Sequence, residues 1–229
     1  MAPSTRSKVK TFFLITFLIV AATSASARSV GWSRAMPEYD FIALAVGYDY
    51  DVPVGPWKRS VIAPVDQFNP GHGIAVDIAL QGRWFRLGIT LDYTRPNNDE
   101  WERYADDVGF AVNSTSRFWY TGVSAGVNPW YTKIISPYVA VRFGFLRPMS
   151  KDRSDFHTAA YHYLADGKYS FYVGPELAFP VRLGNQIYVI PSAKYISASK
   201  TTLPNHENYR VNNLIWSVKF EWRVPLSLF

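Results

Sequence analysis

Between Leu214 and Val224, every second residue is a large apolar one. The even positions carry only aliphatic and aromatic side chains, whereas Lys219, Glu221 and Arg223 stand at odd positions. Successive side chains of a β-strand point to opposite faces, so this alternation predicts a strand with one apolar and one charged face. Such a strand separates an apolar environment from a polar one.

Seven further segments alternate in the same way, and together they predict eight strands. Pro175 and Pro191 fall inside two of them, and we expect local bulges there because proline cannot donate to a strand ladder. The seven segments are residues 41–50, 74–80 and 85–93, which have clear patterns, and 119–127, 138–145, 169–179 and 187–197, which have weaker ones.

The connections between these strands alternate strictly between short and long. In an up-and-down barrel every second connection lies at the same rim, so all the long ones share one rim. Outer-membrane barrels have this asymmetry. The pattern predicts an all-β fold, an eight-stranded antiparallel up-and-down transmembrane β-barrel with short periplasmic turns and long extracellular loops. The short connections are 82–84, 128–136 and 182–186, and the long ones are 51–73, 94–117, 146–168 and 198–210.

The first 27 residues have the composition of a secretory signal peptide. A basic start is followed by the apolar run Thr11–Ala22 and by small residues up to Ala27. Twelve apolar residues would span only about 18 Å as a helix, against about 30 Å for a hydrocarbon core, which disfavours a membrane anchor. We therefore predict a cleaved signal peptide at 1–27, a short periplasmic segment at 28–37 and a barrel domain at 38–229, exported to the outer membrane of a Gram-negative bacterium.

Composition excludes several other classes. The chain has no cysteine, so it can form neither a disulfide framework nor a thiolate metal site. Cleavage after Ala27 would remove three of the 24 basic residues and none of the 18 acidic ones, which lowers the net charge from +6 to +3. This near balance gives no indication of nucleic-acid binding.

The cost of burying charge fixes which face of the barrel points outward. A basic residue facing lipid near the midplane costs about 2–4 kcal/mol, so the charged face must line the interior, where its members are expected to pair. The predicted lumen charge network consists of Asp77, Arg86, Asp92, Arg142, Glu176, Lys194, Lys219 and Glu221.

The apolar face carries aromatic residues near the strand ends. Amphipathic rings favour the boundary between membrane and water, so we assign these residues to lipid-interface girdles. They are Tyr48, Tyr50, Tyr93, Trp119, Phe145, Tyr169, Tyr195, Trp216 and Trp222.

In architecture the chain resembles the small eight-stranded bacterial outer-membrane proteins of the OmpA and OmpX type, without a shared residue motif. The resemblance rests on the signal peptide, the strand number, the sorted loops and the terminal Phe229. It implies that Phe229 is an assembly signal read by the barrel assembly machinery, although Pro225 and Ser227 depart from the family's terminal pattern. It also implies outer-membrane lipid and lipopolysaccharide as partners.

We expect a non-enzymatic structural or surface-interaction protein whose lumen is filled by side chains. Loops 94–117 and 146–168 mix charged and aromatic residues and could bind an extracellular or host ligand. Alternation at Val108, Phe110 and Val112 equally suggests that strands extend into the second long loop. Three other functions stay open: a narrow pore, an enzyme that modifies lipid A, and a soluble periplasmic barrel that binds a small apolar ligand.

The histidines argue against the enzyme. All four lie in predicted long loops, whereas the lipid A deacylases carry their histidine and serine on a lipid-facing strand. Ser154, Asp155 and Glu207 lie near two of these histidines in sequence, but sequence proximity does not define a catalytic group. His157 and His162 lack the spacing of a helical metal-ligand pair. We expect no catalytic residue, cofactor or metal. The four histidines are His72, His157, His162 and His206.

Overall fold

The computed structural model describes residues 41–59, 65–66, 68–82, 84–108, 116–129, 134–150, 169–203 and 206–225. Within them, no helix is both long enough and apolar enough to cross a bilayer. A 3-10 helix, Pro56–Lys58, follows the first strand, and the α-helix α1, Asp99–Asp107, follows the third. The strands are β1 (Phe41–Val54), β2 (Asn69–Gln81), β3 (Phe85–Asn97), β4 (Ser116–Val127), β5 (Tyr138–Ser150), β6 (Ser170–Ala178), β7 (Val181–Arg182), β8 (Ile187–Leu203) and β9 (His206–Pro225).

The sheet closes on itself. Strands β1 to β6 pair in sequence, β1 also pairs with β9, and β9 pairs with β8. Pairing of β6 with β8 completes the ring. The two-residue β7 continues β6 beyond Pro180, because Ala178 and Val181 pair with β8 in one unbroken register. Eight strands therefore form a closed antiparallel up-and-down barrel, as the alternation predicts.

Several predicted features fall outside the described residues. These are the segments 1–27 and 28–37, the loop residues 151–168 and the terminal Phe229. The described strands run from Phe41 to Pro225, and these two residues pair with each other. Both ends of the barrel strands therefore meet at one rim. We call it the short-turn rim because it also holds the connections of β2 with β3, β4 with β5 and β6 with β8; the opposite end is the long-loop rim.

The strands extend further toward the long-loop rim than the alternation indicates. Strand β2 begins at Asn69, and β8 and β9 form a hairpin in which Leu203 pairs with His206. The predicted loop at 198–210 is therefore wrong. Alternation marks only the part of a strand that separates two environments, whereas backbone pairing continues above it without that constraint.

The second long connection starts as a helix. Helix α1 covers most of the first half of this connection, and Val108 follows it in a turn. The side chain of Asn97 accepts a hydrogen bond of 2.8 Å from the Asp99 backbone N–H, an Asx turn that suits a helix start. The strand extension suggested at Val108 is therefore wrong; Phe110 and Val112 lie outside the described residues.

Neither strand proline produces the expected bulge, and only Pro175 lies in a gap of the ladder. The pairs of β6 with β8 pass from Val173 to Glu176 without a change of register, leaving out Gly174 and Pro175. Pro191 keeps its place opposite Val218 in β9. On its other side its carbonyl accepts a 3.0 Å hydrogen bond from the Phe179 N–H, where β6 has just ended. Both prolines thus belong to strands that meet at the β6–β8 junction, where pairing is interrupted.

Candidate functional site

The eight predicted lumen charges all lie inside the barrel. Their side chains are buried, and each forms an ion pair with another interior residue. Inward and outward positions alternate along every long strand, and these charges occupy inward positions of six strands. Their side chains therefore meet in the same interior. The structure divides them into two groups at different depths.

Arg142 of β5 holds the centre of the larger group. Its guanidinium donates to Glu176 at 2.6 Å, to Asp92 at 2.8 Å and to Asp77 at 3.1 Å. These carboxylates come from three other strands, so one side chain ties four strands together across the lumen. Arginine suits this position because its planar fork offers five donors and remains charged when it is buried.

Two lysines complete the central group. Lys219 contacts Asp77 at 2.6 Å and Glu176 at 3.0 Å. Lys194 contacts Asp92 at 3.1 Å and Asp49 at 3.0 Å. Asp49 also accepts a hydrogen bond from the Ser217 hydroxyl. We call these three cations and four carboxylates the central network; they are Arg142, Lys194, Lys219, Asp49, Asp77, Asp92 and Glu176.

A smaller group lies nearer the short-turn rim. Glu221 contacts Arg86 at 2.7 Å and Arg223 at 2.6 Å, so two cations share one carboxylate. Aromatic faces accommodate both guanidinium groups: Arg223 lies 3.7 Å from the ring centre of Tyr188, and Arg86 lies 5.1 Å from that of Tyr138. Cation–π attraction in this buried site offsets part of the charge excess.

The described interior also holds charges that were absent from the predicted network, among them Asp49, Asp51 and Arg223. Asp49 and Arg223 share the inward parity of their strands, and extending the β1 pattern by one step would have included Asp51. Asp51 lies above the central network and binds no cation in the described structure. It accepts hydrogen bonds from the Thr94 hydroxyl at 2.6 Å and the Asn213 amide at 2.9 Å. The alternation contained the signal for all three.

A cluster of buried apolar and aromatic residues lies toward the long-loop rim, and the alternation does not predict it. Trp57, in the connection after β1, is fully buried with its ring 4.9 Å from Phe68 and 5.8 Å from Phe118. Its indole N–H donates to the Asn212 carbonyl at 2.9 Å. We call this cluster the aromatic cap; its members are Trp57, Phe68, Phe118, Tyr120, Leu146, Tyr172, Ile196, Ala198, Val211 and Ile215.

Local chemistry directs Trp57 inward. Gly55 has a φ of 96°, a left-handed conformation that favours glycine, and Pro56 then starts the short 3-10 helix. Lys58 holds the two described parts of the connection together. Its ammonium group contacts Asp66 at 2.7 Å, and its backbone carbonyl accepts a 3.1 Å hydrogen bond from the Phe68 N–H. The described parts of the first long connection thus place Trp57 and Phe68 inside the upper end of the barrel.

The outer wall is apolar between the two rims. Ile78, Ile89 and Phe220 are 51%, 62% and 59% exposed, respectively. The nine predicted girdle aromatics all belong to this outward face. Trp222 lies toward the short-turn rim, and the other eight lie toward the long-loop rim. There the ring centres of Tyr93 and Trp119 are 4.9 Å apart in a tilted contact, and those of Phe145 and Tyr169 are 6.5 Å apart in an edge-to-face contact.

Two histidines lie on strands, contrary to the prediction that all four occupy loops. His206 begins β9, and His72 belongs to β2, whose start was placed too late in the sequence. His72 is exposed on the outer wall, where its Nδ1 hydrogen bonds with the Tyr48 hydroxyl and its ring lies 5.7 Å from that of Tyr50. His157, His162, Ser154 and Asp155 lie outside the described residues.

A cavity of about 610 Å³ opens beside His72 on the outer wall. Its sides are formed by the upper parts of β2 and β3, and the start of α1 also lines it. The lining combines rings and aliphatic groups with Arg95, Asn97 and Asp99. The cavity therefore has both apolar and charged walls.

No protein-family model matches the chain, and no curated protein matches it. Among solved structures, Neisserial surface protein A (NspA) is 13% identical, with 81% of this chain and 97% of that chain covered and a TM-score of 0.52. OprG from Pseudomonas aeruginosa is 9% identical, with 82% and 96% covered and a TM-score of 0.51. The chain has the fold of the small outer-membrane β-barrels. The resemblance in architecture is thereby confirmed.

A third similar structure agrees with this assignment. The major outer membrane protein of Thermus thermophilus is 9% identical, with 81% of this chain and 99% of that chain covered and a TM-score of 0.51. Each of the three structures is covered almost completely, so the likeness concerns whole barrels. Identities this low show a shared fold and no shared ligand or activity.

Proposed function

We propose that this chain is an integral protein of the bacterial outer membrane, a closed barrel that acts as a non-enzymatic structural and surface scaffold. The observation that carries the proposal is the distribution of polarity. Outward aliphatic and aromatic side chains are exposed along the whole wall, while the charges of the central network are buried. A monomeric soluble protein rarely exposes an apolar patch of more than a few hundred Å². A lipid bilayer is the solvent that fits this surface.

The orientation follows from the rims. Short turns are typical of the periplasmic side of outer-membrane barrels and long loops of the outer side. In the proposed orientation, α1 and the connections at 94–117 and 146–168 face the cell exterior, where they are available to an extracellular ligand. The proposal includes a cleaved signal peptide at 1–27, lipid and lipopolysaccharide around the wall, and folding by the barrel assembly machinery with Phe229 as the signal.

The interior favours a plugged barrel over a pore. An eight-stranded barrel is just wide enough to be filled by side chains. The aromatic cap closes its upper end, and Arg142, Lys194 and Lys219 lie buried below it. A conducting path would require the central network to exchange its partners. The same packing leaves little room for the small apolar ligand of a soluble periplasmic barrel.

His72 removes one argument against an enzyme that modifies lipid A, because the side chain of this histidine lies on the outward face of strand β2. Within the described residues, its contacts are with the tyrosines Tyr48 and Tyr50. A serine and a carboxylate in reach would be expected of a hydrolytic group. These contacts favour a non-catalytic role, and the absence of an enzymatic activity is part of the proposal.

Quenching of tryptophan fluorescence by brominated lipid tests the membrane assignment. Trp222 is 51% exposed on the outer wall, whereas Trp57 lies inside the barrel. In vesicles of brominated phosphatidylcholine we expect strong quenching relative to unbrominated vesicles. Trp222→Phe should reduce the quenched component, and the matched variant Trp57→Phe should leave it unchanged. Equal fluorescence in both lipids, or release of the protein from cells by osmotic shock without detergent, would support the soluble barrel instead.

A further inference from the structure

We propose that the cavity beside His72 binds the phosphorylated headgroup of a membrane glycolipid, with Arg95 and His72 as the phosphate ligands. The inference rests on the proposed function, because it requires the outer wall to face lipid. It goes beyond general lipid contact by naming one site and the chemistry that it selects. We call the cavity the rim site.

Backbone register brings the two basic residues together. His72 of β2 and Arg95 of β3 are direct partners in the sheet, and Tyr50 of β1 is the partner of His72 on its other side. All three have outward parity, and His72 and Arg95 are exposed. The Tyr48 hydroxyl is hydrogen bonded to Nδ1 of His72, which leaves Nε2 as the ring nitrogen that can bind a ligand.

On this part of the outer wall, the Arg95 side chain has no ion-pair or hydrogen-bond partner among the described residues. No carboxylate or ring accepts its guanidinium within the described residues, whereas Arg147 on the same outer face stacks on Tyr169 at 5.4 Å. An arginine facing lipid at the midplane would cost about 2–4 kcal/mol, but near the interface the cost falls to about 0–1 kcal/mol. Its position above Tyr93 therefore fits the headgroup layer, where its planar fork matches the oxygens of a phosphate.

The cavity wall is built for an amphipathic molecule. Tyr48, Ile74 and Tyr93 form its apolar part. Val76 and Leu91, the next outward-facing residues of β2 and β3, continue an exposed apolar surface toward the bilayer centre. A headgroup bound at Arg95 would thus have its acyl chains against the apolar wall. A free anion would leave this part of the cavity unused.

Acidic groups at the upper side narrow the headgroup class. Asp99 lines the cavity, and Glu100, which follows it, accepts a hydrogen bond of 3.4 Å from the Asn69 amide. A headgroup with phosphate alone would be repelled by Asp99. A phosphorylated sugar also presents hydroxyl groups, which can donate to Asp99 and to Asn97 while the phosphate binds Arg95 and His72. The combination therefore selects a phosphorylated glycolipid.

Binding of defined lipids to the purified full-length barrel tests the rim site. The probe is diphosphoryl lipid A added to the protein in detergent, with bound lipid counted by native mass spectrometry. The comparison ligands are the same lipid without its phosphates, phosphatidylglycerol, and inorganic phosphate as a competitor. Arg95→Gln and His72→Asn remove the proposed ligands, and Arg103→Gln, an exposed arginine of α1 outside the cavity lining, is the matched control.

We expect Arg95→Gln to weaken lipid A binding by about tenfold or more, because a charge-assisted bidentate contact is lost. His72→Asn should have a smaller effect, and Arg103→Gln none. Lipid A without phosphates should bind as weakly to the unchanged protein as diphosphoryl lipid A binds to Arg95→Gln. Phosphatidylglycerol should bind less tightly than lipid A, and inorganic phosphate should compete only at millimolar concentrations.

Equal binding of lipid A by the unchanged protein and Arg95→Gln, or equal binding with and without phosphates, would overturn the site. Displacement by micromolar inorganic phosphate would show a general anion site and overturn the glycolipid assignment. Heat-modifiable migration of each variant on gels verifies that it is folded. Quenching by brominated lipid separates the two proposals: quenching without phosphate selectivity refutes the rim site alone, whereas loss of quenching refutes the proposed membrane function.

Discussion

One arginine joins four strands at the centre of this barrel. Arg142 binds Asp77, Asp92 and Glu176, which lie 65, 50 and 34 residues away along the chain, respectively. A buried ion pair is weak support for net stability, because desolvation opposes the attraction. Removing a single partner is different, since the remaining charges stay buried without compensation.

Arg142→Met should therefore destabilise the barrel strongly. The change keeps an unbranched side chain but leaves the four carboxylates of the central network to two lysines, and we expect a loss of about 3–5 kcal/mol in the free energy of unfolding. Urea unfolding from lipid vesicles, followed by tryptophan fluorescence, measures it. Arg103→Met on the exposed surface of α1 is the control and should stay within about 0.5 kcal/mol of the unchanged protein. A similar small effect for Arg142→Met would contradict the role of the central network.

For single residues the sequence is informative, because an odd or even position in a strand predicts whether the side chain points into the barrel or outward. Lys219 and Glu221 can be assigned to the interior from the β9 alternation alone, and the structure places them there. The ion-pair partner of each charge cannot be predicted from the alternation. Asp92 contacts Arg142 and Lys194 only because β3, β5 and β8 curve around one lumen, and that curvature is a property of the closed barrel.

Among the elements, the connection after β1 departs most from its sequence expectation. It looks like a polar loop, yet its described residues include Trp57 and Phe68, both of which are buried inside the barrel. Alternation cannot reveal this, since the segment has no strand period. The sequence shows only the Gly55-Pro56 turn signal, which predicts a turn but not which residues the side chain of Trp57 will contact.

Trp57→Ala tests the aromatic cap. Truncation of a buried tryptophan leaves a cavity and an unpaired Asn212 carbonyl, so we expect a loss of about 3–5 kcal/mol in the free energy of unfolding. Trp84→Ala, at a ring that is 60% exposed, is the control and should cost clearly less. In planar bilayers neither the unchanged protein nor Trp57→Ala should form steady channels, because the central network still closes the lumen. Steady conductance from the unchanged protein would contradict the plugged lumen and support the pore.

At the scale of the whole molecule, the pairing of β6 with β8 is the least regular junction of the closed ring. Most strands pair with the next strand along the chain, and β9 returns to β1 in a long, regular register. The β6–β8 junction is shorter and is interrupted at Gly174 and Pro175. The short connection 182–186 predicts that these two strands pair, but the interruption inside their junction could not be predicted from either strand alone.

Gly174→Ala should weaken this junction. A Cβ on Gly174 would lie 1.7 Å from the Tyr195 carbonyl oxygen, a backbone atom that can move only if β8 shifts. We expect a loss of about 1–3 kcal/mol in the free energy of unfolding, together with slower conversion to the heat-modifiable folded form. Gly184→Ala is the matched control, since its Cβ would meet its nearest neighbour at 3.9 Å. Equal stability and folding of the two variants would show that the β6–β8 approach tolerates a side chain, and that closure does not depend on it.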